Sequence, residues 1–239
     1  MAESLIIDSR IHDSEPGVQK LKYMPKVTAV IPAYNEASRI VQTLNKLQPY
    51  VDEIIVVDDA SIDNTAELAI ETGAKVFSHS YNKGYIDSIK QGFKEASGEI
   101  IITLDADGEF LAKEIPRLIK PIIDNQADMV QGHRSSPPRP SEKFLTWLAG
   151  KKANVGDSGT GFRAIRTSLA QSLEIKGACI CGVLSLEVIS KGGRIVETPV
   201  TLQNIDKPRK IAWFHLKQLR YLLPWLLIRF EKPQIPDKR

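Results

Sequence analysis

The sequence predicts an α/β fold in which helices cover both faces of a mainly parallel sheet. Apolar runs rich in Val and Ile alternate with segments whose apolar residues recur at helical spacing. The apolar runs have the character of strands that are buried on both faces. Strands and helices that alternate in this way indicate βαβ units, whose strands lie parallel in one sheet.

The chain up to Arg134 supplies five of the predicted strands. They are "KVTAVIP", "EIIVVDD", "AKVFS", "EIIITL" and "ADMVQGHR". Apolar residues spaced three or four apart predict the helices between them: Glu36 to Pro49, "SIDNTAELAIETG", Tyr85 to Ala96, and Ile115 to Ile122. Gly73 is a typical helix stop at the end of the second helix.

The pattern divides the chain into three parts. Residues 1–25 are polar and aperiodic and are expected to form a flexible N-terminal arm. Residues 26–210 carry the α/β domain, including a proline-rich exposed loop "SSPPRPSEK", a helix in "FLTWLAGKKA", the glycine-rich "GDSGTGFRAI" and a late strand "RIVETPVTL". Residues 211–239 form a separate amphipathic segment at the C-terminus.

Composition restricts the class of protein. The chain has 239 residues, of which 42% are hydrophobic and 26% charged. Its net charge of +3 argues little for or against a nucleic acid partner, and we expect none. We expect neither a transmembrane helix nor a signal peptide, because no run of 18 apolar residues occurs and the N-terminus lacks a basic region before an apolar core. Cys179 and Cys181 suggest buried free thiols in a reducing cytoplasm, and the four histidines show no metal-ligand spacing.

Polar clusters follow four of the predicted strands, at the point where each strand ends. They are "PAYNE", "DDAS", "DADGE" and "GHRSS". Ligands of open parallel sheets bind beyond the carboxyl ends of the strands. The sequence therefore predicts one shared site at that edge.

Three acidic residues alternate after the fourth strand. Asp105, Asp107 and Glu109 would point to one side of an extended chain and could converge on a hard cation such as Mg²⁺ or Mn²⁺. A solvated acidic turn is the simpler alternative. The chain lacks both the P-loop motif and the G-x-G-x-x-G motif, in which a glycine-rich backbone holds the phosphates. If the ligand carries a diphosphate, we therefore expect metal and basic side chains to hold it.

An ordered set of motifs resembles family 2 glycosyltransferases with the GT-A fold. The motifs are "VIPAYNE", "VVDDASIDNT", "EIIITLDADGE", "ADMVQGHR", "DSGTGFRA" and "ETPV", and they span roughly residues 26–210. Within that family the chain looks most like the dolichyl-phosphate or polyprenyl-phosphate mannosyl- and glucosyltransferases. The segment between Arg134 and Asp157 is shorter than is usual in that branch.

The resemblance implies roles for particular residues. The nucleotide-sugar-binding residues would be Pro32, Tyr34, Glu36, Val57, Asp59, Asp105, Ala106, Asp107, Arg134, Arg209 and Lys210. Glu36 would reach a ribose hydroxyl, while Val57 and Asp59 would flank the base. Asp105 and Asp107 would form the D-x-D pair at the diphosphate and metal. Glu109 stands where related mannosyltransferases have glutamine, so Glu109→Gln is expected to shift metal preference.

The expected activity is inverting transfer of a hexose from GDP-mannose or UDP-glucose to a polyprenyl or dolichyl phosphate. Asp107, Arg134 and Asp157 are the predicted catalytic residues, and Asp157 is the candidate base if the acceptor is a hydroxyl. A lipid phosphate needs no base but needs cations, for which the candidates are Arg134, Arg139, Lys143, Arg163, Arg209 and Lys210. A saccharide or other hydroxyl acceptor, and a non-catalytic nucleotide-sugar-binding subunit, are the alternatives.

The C-terminal segment fits a lipid acceptor. "IAWFHLKQLRYLLPWLLIRF" combines aromatic, aliphatic and basic residues, which favour a bilayer interface, and we expect it to break at Pro224. A core helix or a dimer contact is the alternative. We therefore expect a cytoplasmic protein with peripheral contact to the cytoplasmic face of the membrane, and a homodimer or a membrane-anchor subunit stays open.

Overall fold

The computed structural model describes residues 24–135, 140–153, 155–203 and 214–228. The predicted N-terminal arm falls almost wholly outside these ranges, as does part of the proline-rich loop, including Arg139. Arg209 and Lys210 also lie outside the described residues.

Seven strands form one sheet within the described ranges, in the order β3-β2-β1-β4-β6-β5-β7. The strands are β1 Val27–Ala33, β2 Glu53–Asp58, β3 Lys75–Ser78, β4 Ile100–Thr103, β5 Met129–Arg134, β6 Arg163–Arg166 and β7 Ile195–Val200. All neighbouring pairs are parallel except the two that involve β6, which is antiparallel to β4 and β5. The predicted mainly parallel sheet is confirmed.

Helices cover both faces of the sheet, as predicted. They are α1 Ile40–Leu47, α2 Thr65–Glu71, α3 Tyr85–Glu95, α4 Ile115–Ile123, α5 Pro140–Ala153, α6 Thr167–Ser172, α7 Val183–Ser190 and α8 Phe214–Leu227. Two short 3₁₀ turns, Gln48–Tyr50 and Ala112–Glu114, complete the described elements.

Two hydrophobic cores lie on opposite faces of the sheet. The first packs the apolar stripes of α1 and α4 against β1 and β4; Ile40, Leu44 and Leu118 are fully buried there. The second packs α3, α5, α7 and α8 against the other face, with Ile89 and Leu222 fully buried. Both faces of the central strands are therefore buried against apolar side chains, which explains their continuous apolar sequences.

The C-terminal helix packs beside α5. Ser141 contacts His215 at one end of the pair, and Lys152 donates to the carbonyl of Ile228 at the other, so the two helices run in the same direction. The break predicted at Pro224 is wrong, since α8 continues through Pro224 to Leu227. A proline near a helix end removes only one backbone hydrogen bond, and the packing of buried Leu222 holds this turn in place. Within the described ranges every helix is too short or too polar to span a bilayer.

Candidate active site

A cavity of about 560 Å³ opens beyond the carboxyl ends of β1, β2 and β4. Six of the predicted nucleotide-sugar residues line it: Pro32, Tyr34, Glu36, Asp59, Asp105 and Ala106. Helices and loops from the second half of the chain complete it with Glu142, Gly159, Gly161, Ala178, Cys179, Ile180, Cys181 and His215. Three of the four predicted polar strand ends therefore meet at one pocket, whereas none of the described residues of "GHRSS" lines it.

The loop after β1 is fixed to the loop after β2. Asn35 adopts a left-handed conformation with φ of 55°, its backbone N–H donates to the Ser61 hydroxyl at 2.9 Å, and its side-chain oxygen accepts from Ile62 N–H at 2.9 Å. Glu36 begins the following turn and pairs with Arg39 at 3.0 Å. These contacts place Tyr34, which is 47% exposed, at the pocket wall.

Asp59 organises the opposite wall. Its carboxylate contacts His79 Nδ1 at 2.7 Å and accepts from the backbone N–H groups of Lys83 and Gly84 at 2.8 and 2.7 Å. Burial alone would raise the pKa of Asp59, but these hydrogen bonds and the nearby imidazole lower it. Asp59 therefore holds the loop that leads into α3 and brings Tyr85 to the pocket.

Val57 packs in the second core, and its predicted place beside the base stays a prediction. Its side chain is fully buried in the second core with Ile89 and Phe93, and it does not line the pocket. Val57 is the second-last residue of β2, which ends at Asp58, and its side chain packs against the neighbouring helix.

The three acidic residues after β4 do not converge as their spacing predicts. Strand β4 ends at Thr103, and a turn with Gly108 at φ of 76° follows, so the alternation of an extended chain is lost. Among the described residues, the one group of three or more His, Cys, Asp or Glu side chains with ligand atoms within 4.8 Å of one another includes none of these three acids. Asp107 is buried, and its Oδ1 accepts from Glu109 N–H at 3.0 Å. The predicted three-carboxylate ligand set is thus not assembled in this structure.

Asp105 differs from the other two acidic residues in its position at the pocket. It lines the pocket, and its carboxylate lies against Gly161 so closely that a Cβ at 161 would fall 2.7 Å from Oδ2. The hydroxyl of Tyr85 is buried near Asp105, and both burial and that negative charge raise its pKa. One or two carboxylates are what Mg²⁺ usually takes from a protein, so the D-x-D pair fits a hard divalent cation.

Arg134 and Asp157 pair with each other beneath the pocket. The guanidinium donates to Asp157 at 2.7 and 2.8 Å and to Glu142 at 3.1 Å, and the backbone N–H of Arg134 also donates to Asp157. Asp157 is fully buried, and Arg134 is 6% exposed. Neither residue lines the pocket, whereas Glu142, the second acid bound by Arg134, does.

Arg163 is a buried cation whose position the sequence did not reveal. It is 1% exposed in β6, and burial lowers the pKa of its guanidinium. One nitrogen donates to the carbonyl of Ser158, while Nε and Nη1 have no hydrogen-bond partner in the described part of the chain. The negative charges of Asp157 and Asp105 act in the opposite direction and favour the charged guanidinium. The position of Arg163 depends on β6 running antiparallel to β4 and β5, which the glycine-rich sequence before it did not indicate.

Known proteins resemble this chain in sequence. Dolichol-phosphate mannosyltransferase from Pyrococcus furiosus is 31% identical over 198 residues, covering 74% of this chain and 56% of that protein. Undecaprenyl-phosphate mannosyltransferase from Micrococcus luteus is 28% identical over 206 residues, covering 74% of this chain and 83% of that protein. The match thus spans little more than half of the Pyrococcus protein.

A solved structure shares the fold. Glucosyl-3-phosphoglycerate synthase from Mycobacterium tuberculosis, in complex with Mn²⁺ and uridine-diphosphate-glucose, superimposes with a TM-score of 0.71 at 20% identity, covering 94% of this chain and 86% of that one. The GT-A fold implied by the motifs is confirmed. The sequence model described as Glycosyl transferase family 2 matches residues 28–175, more than half of the chain. The chain therefore belongs to glycosyl transferase family 2.

Proposed function

We propose that the protein transfers a hexose from a nucleotide sugar to a polyprenyl or dolichyl phosphate, with inversion at the anomeric carbon. The observation that carries the proposal is the pocket beyond β1, β2 and β4, lined by Tyr34, Glu36, Asp59 and Asp105. The two lipid-phosphate mannosyltransferases quoted above support this acceptor class. GDP-mannose and UDP-glucose are the donors to test first.

The donor would lie along the edge of the sheet. Tyr34 and Glu36 offer an exposed ring and a carboxylate for the nucleoside, and the Asp59 network keeps the facing wall rigid. Asp105 and Asp107 would hold Mg²⁺ or Mn²⁺ at the diphosphate. A bound divalent cation supplies positive charge that stabilises the departing nucleoside diphosphate.

Buried cations of the chain would complement that charge. Arg163 lies beneath the pocket with two N–H-bearing nitrogens that have no partner among the described residues. Arg134 is already held by Asp157 and Glu142, so its charge is largely balanced within the protein. We propose that Arg163 provides a fixed positive potential and that Arg134 positions Glu142 at the pocket wall.

The state of Asp157 favours a phosphate acceptor over a hydroxyl. A hydroxyl must lose a proton to a base within hydrogen-bond reach. Asp157 is fully buried and accepts three hydrogen bonds from Arg134, so it is poorly placed to act as that base. An acceptor that is already ionised avoids the need for one.

The α5–α8 pair offers a surface for the lipid. Both helices expose apolar and basic side chains: Phe144, Trp147, Leu216, Tyr221, Leu223, Leu227, Lys143, Lys151, Lys152, Lys217 and Arg220. Phe144 stacks on Trp147 with ring centroids 5.9 Å apart, and Lys151 lies 4.6 Å above the Trp147 ring. Aromatic rings beside lysines suit the boundary of an anionic bilayer. We propose peripheral contact with the cytoplasmic membrane face; a membrane-anchor subunit or a second copy of the chain are the competing occupants.

Partition of a labelled sugar tests the function. The protein is incubated with labelled GDP-mannose or UDP-glucose, Mg²⁺ or Mn²⁺, and a short polyprenyl phosphate, and the organic phase is counted. We expect label in the organic phase with at least one donor and only with metal. Transfer to a saccharide alone would contradict the acceptor, and tight nucleotide-sugar binding without turnover would indicate a non-catalytic subunit.

A further inference from the structure

Two thiols, two residues apart in the chain, meet on the pocket wall with an imidazole that lies at least 34 residues further along. A ligand atom of each of Cys179, Cys181 and His215 lies within 4.8 Å of the others. All three residues are buried, and all three line the pocket. Among the residues the structure describes, they are the one such group of potential metal ligands.

The spacing of the ligand atoms is close to that of a tetrahedral zinc site. Zinc binds sulfur at about 2.3 Å and imidazole nitrogen at about 2.0 Å, which places ligand atoms about 3.5 to 3.8 Å apart. Sγ of Cys181 lies 3.9 Å from Nε2 of His215. A shift of a few tenths of an ångström would bring these two atoms to the distances that zinc requires.

Neighbouring side chains orient the group. The hydroxyl of Ser141 contacts His215 Nδ1 at 2.7 Å, so Nε2 is the nitrogen that faces Cys181. Metal-bound histidines usually have such a partner on the other ring nitrogen, which fixes the ring and its tautomer.

Gln218 joins the loop that carries the thiols to the helix that carries His215. Its side-chain oxygen accepts from the N–H groups of Ala178 and Cys179 at 2.8 and 3.0 Å, and its amide donates to the carbonyl of Cys181 at 3.0 Å. Gln218 is fully buried. The ligands are thus presented by backbone that is already held in place, which reduces the ordering required on metal binding.

We propose that Cys179, Cys181 and His215 bind a soft divalent ion of the zinc class, and that this ion fastens α8 to the pocket wall. Thiolate and imidazole ligands select zinc over Mg²⁺ and Mn²⁺, which prefer oxygen. The site is therefore chemically distinct from the D-x-D pair. Three protein ligands leave one coordination position on the pocket side for water.

Metal content and cobalt spectra test the proposal. The reduced protein is loaded with Zn²⁺, desalted and analysed for metal, and a second sample is titrated with Co²⁺. We expect about one tightly held zinc per chain and an intense near-ultraviolet absorption from thiolate-bound cobalt. The double variant Cys179→Ser/Cys181→Ser should lose both signals, and Ser141→Ala should weaken zinc binding by about 10- to 100-fold.

Two controls separate this site from others. Asp105→Asn/Asp107→Asn should retain the zinc and the cobalt absorption, and so should His133→Gln, which alters a more exposed histidine. Cobalt uptake by the wild-type protein without the thiolate absorption would overturn the proposal, and this readout needs no variant. Equal zinc in the double serine variant, or thiols that bind no metal after full reduction, would also overturn it.

Discussion

Arg134, Asp157 and Glu142 form a charge cluster in the protein interior beneath the pocket. Burial alone would lower the pKa of Arg134, but its bonds to Asp157 and the charge of Glu142 raise it above its usual value. Removing one member of a buried ion pair is costly because the partner charge is left uncompensated.

Asp157→Asn should lower the free energy of unfolding by about 3–5 kcal/mol. Urea denaturation measures this effect, and Asp87→Asn is the matched control, since exposed Asp87 lies 4.0 Å from Lys90. The control should change stability by less than about 0.5 kcal/mol. Full stability in Asp157→Asn with loss of turnover would instead support a base at this position.

Asp105 and Glu109 differ in their relation to the pocket. Asp105 lines it, whereas Glu109 does not and follows the turn at Gly108. The expectation that Glu109→Gln shifts metal preference or affinity stays a prediction, and the different positions of the two residues favour the opposite outcome. Asp105→Asn should reduce metal-dependent transfer by about 100-fold or more, as expected for loss of a group that stabilises transition-state charge, and Glu109→Gln should keep the metal dependence of the wild type. A Mg²⁺ and Mn²⁺ titration of activity compares the two; a changed metal preference in Glu109→Gln would restore it as a ligand.

At the scale of single elements, Glu53 ties β2 to its surroundings. It accepts from Thr28 at 2.6 Å, from Lys75 at 2.6 Å and from the N–H and hydroxyl of Ser97 at 2.9 Å. Burial alone would raise the pKa of Glu53, but these bonds lower it to about 2. Because its pKa is lower in the folded than in the unfolded state, Glu53 stabilises the fold above pH 4.5 and loses this effect as the pH falls towards 2.

Glu53→Gln should lower the free energy of unfolding by about 1–3 kcal/mol at neutral pH. The difference from wild type should shrink as the pH falls below 4.5. Urea denaturation at a series of pH values gives the result, with exposed Glu71→Gln as the control. A difference that is constant from pH 7 to pH 3 would show that lost packing, and not charge, is responsible.

The elements that could be predicted are those whose own sequence determines them. Strands β1 and β4 are apolar along their length, and α1 and α4 have clear apolar stripes, so periodicity located them. Strand β6 has two arginines in four residues, and the apolar residues of α7 cover most of its circumference; both depend on tertiary packing.

The candidate site divides in the same way. Tyr34, Asp59 and Asp105 follow strands that the sequence predicts, so their meeting at one edge could be inferred. The cluster of Cys179, Cys181 and His215 could not, because it requires α8 to fold back onto a distant loop, and no local pattern specifies that contact.

At the scale of the whole molecule, the α5–α8 pair has two different faces. Leu145, Ala149 and Leu222 face the second core, whereas Phe144, Trp147 and Leu223 are at least half exposed. Helix α8 is therefore amphipathic, as predicted. It also packs against the core through one face, which was the alternative interpretation of this segment. The same two helices contribute Glu142 and His215 to the pocket lining.

Phe144→Ser/Trp147→Ser should reduce binding to anionic vesicles by about tenfold or more, since burying each such side chain contributes about 1.5–3 kcal/mol. Co-sedimentation at two salt concentrations measures this, and wild-type binding should weaken at the higher salt. Ile62→Ser, which removes a 90% exposed apolar residue elsewhere on the surface, is the control. Equal vesicle binding by the double variant would assign this face to a protein partner.

The most direct measurement compares two acceptors that differ only in the phosphate. Labelled nucleotide sugar and Mg²⁺ or Mn²⁺ are supplied with either a polyprenyl phosphate or the corresponding polyprenol, and the initial rate of sugar transfer to the lipid is measured. The buried, paired state of Asp157 predicts rapid transfer to the phosphate and none to the alcohol. Transfer to the alcohol at a comparable rate would contradict the proposed function.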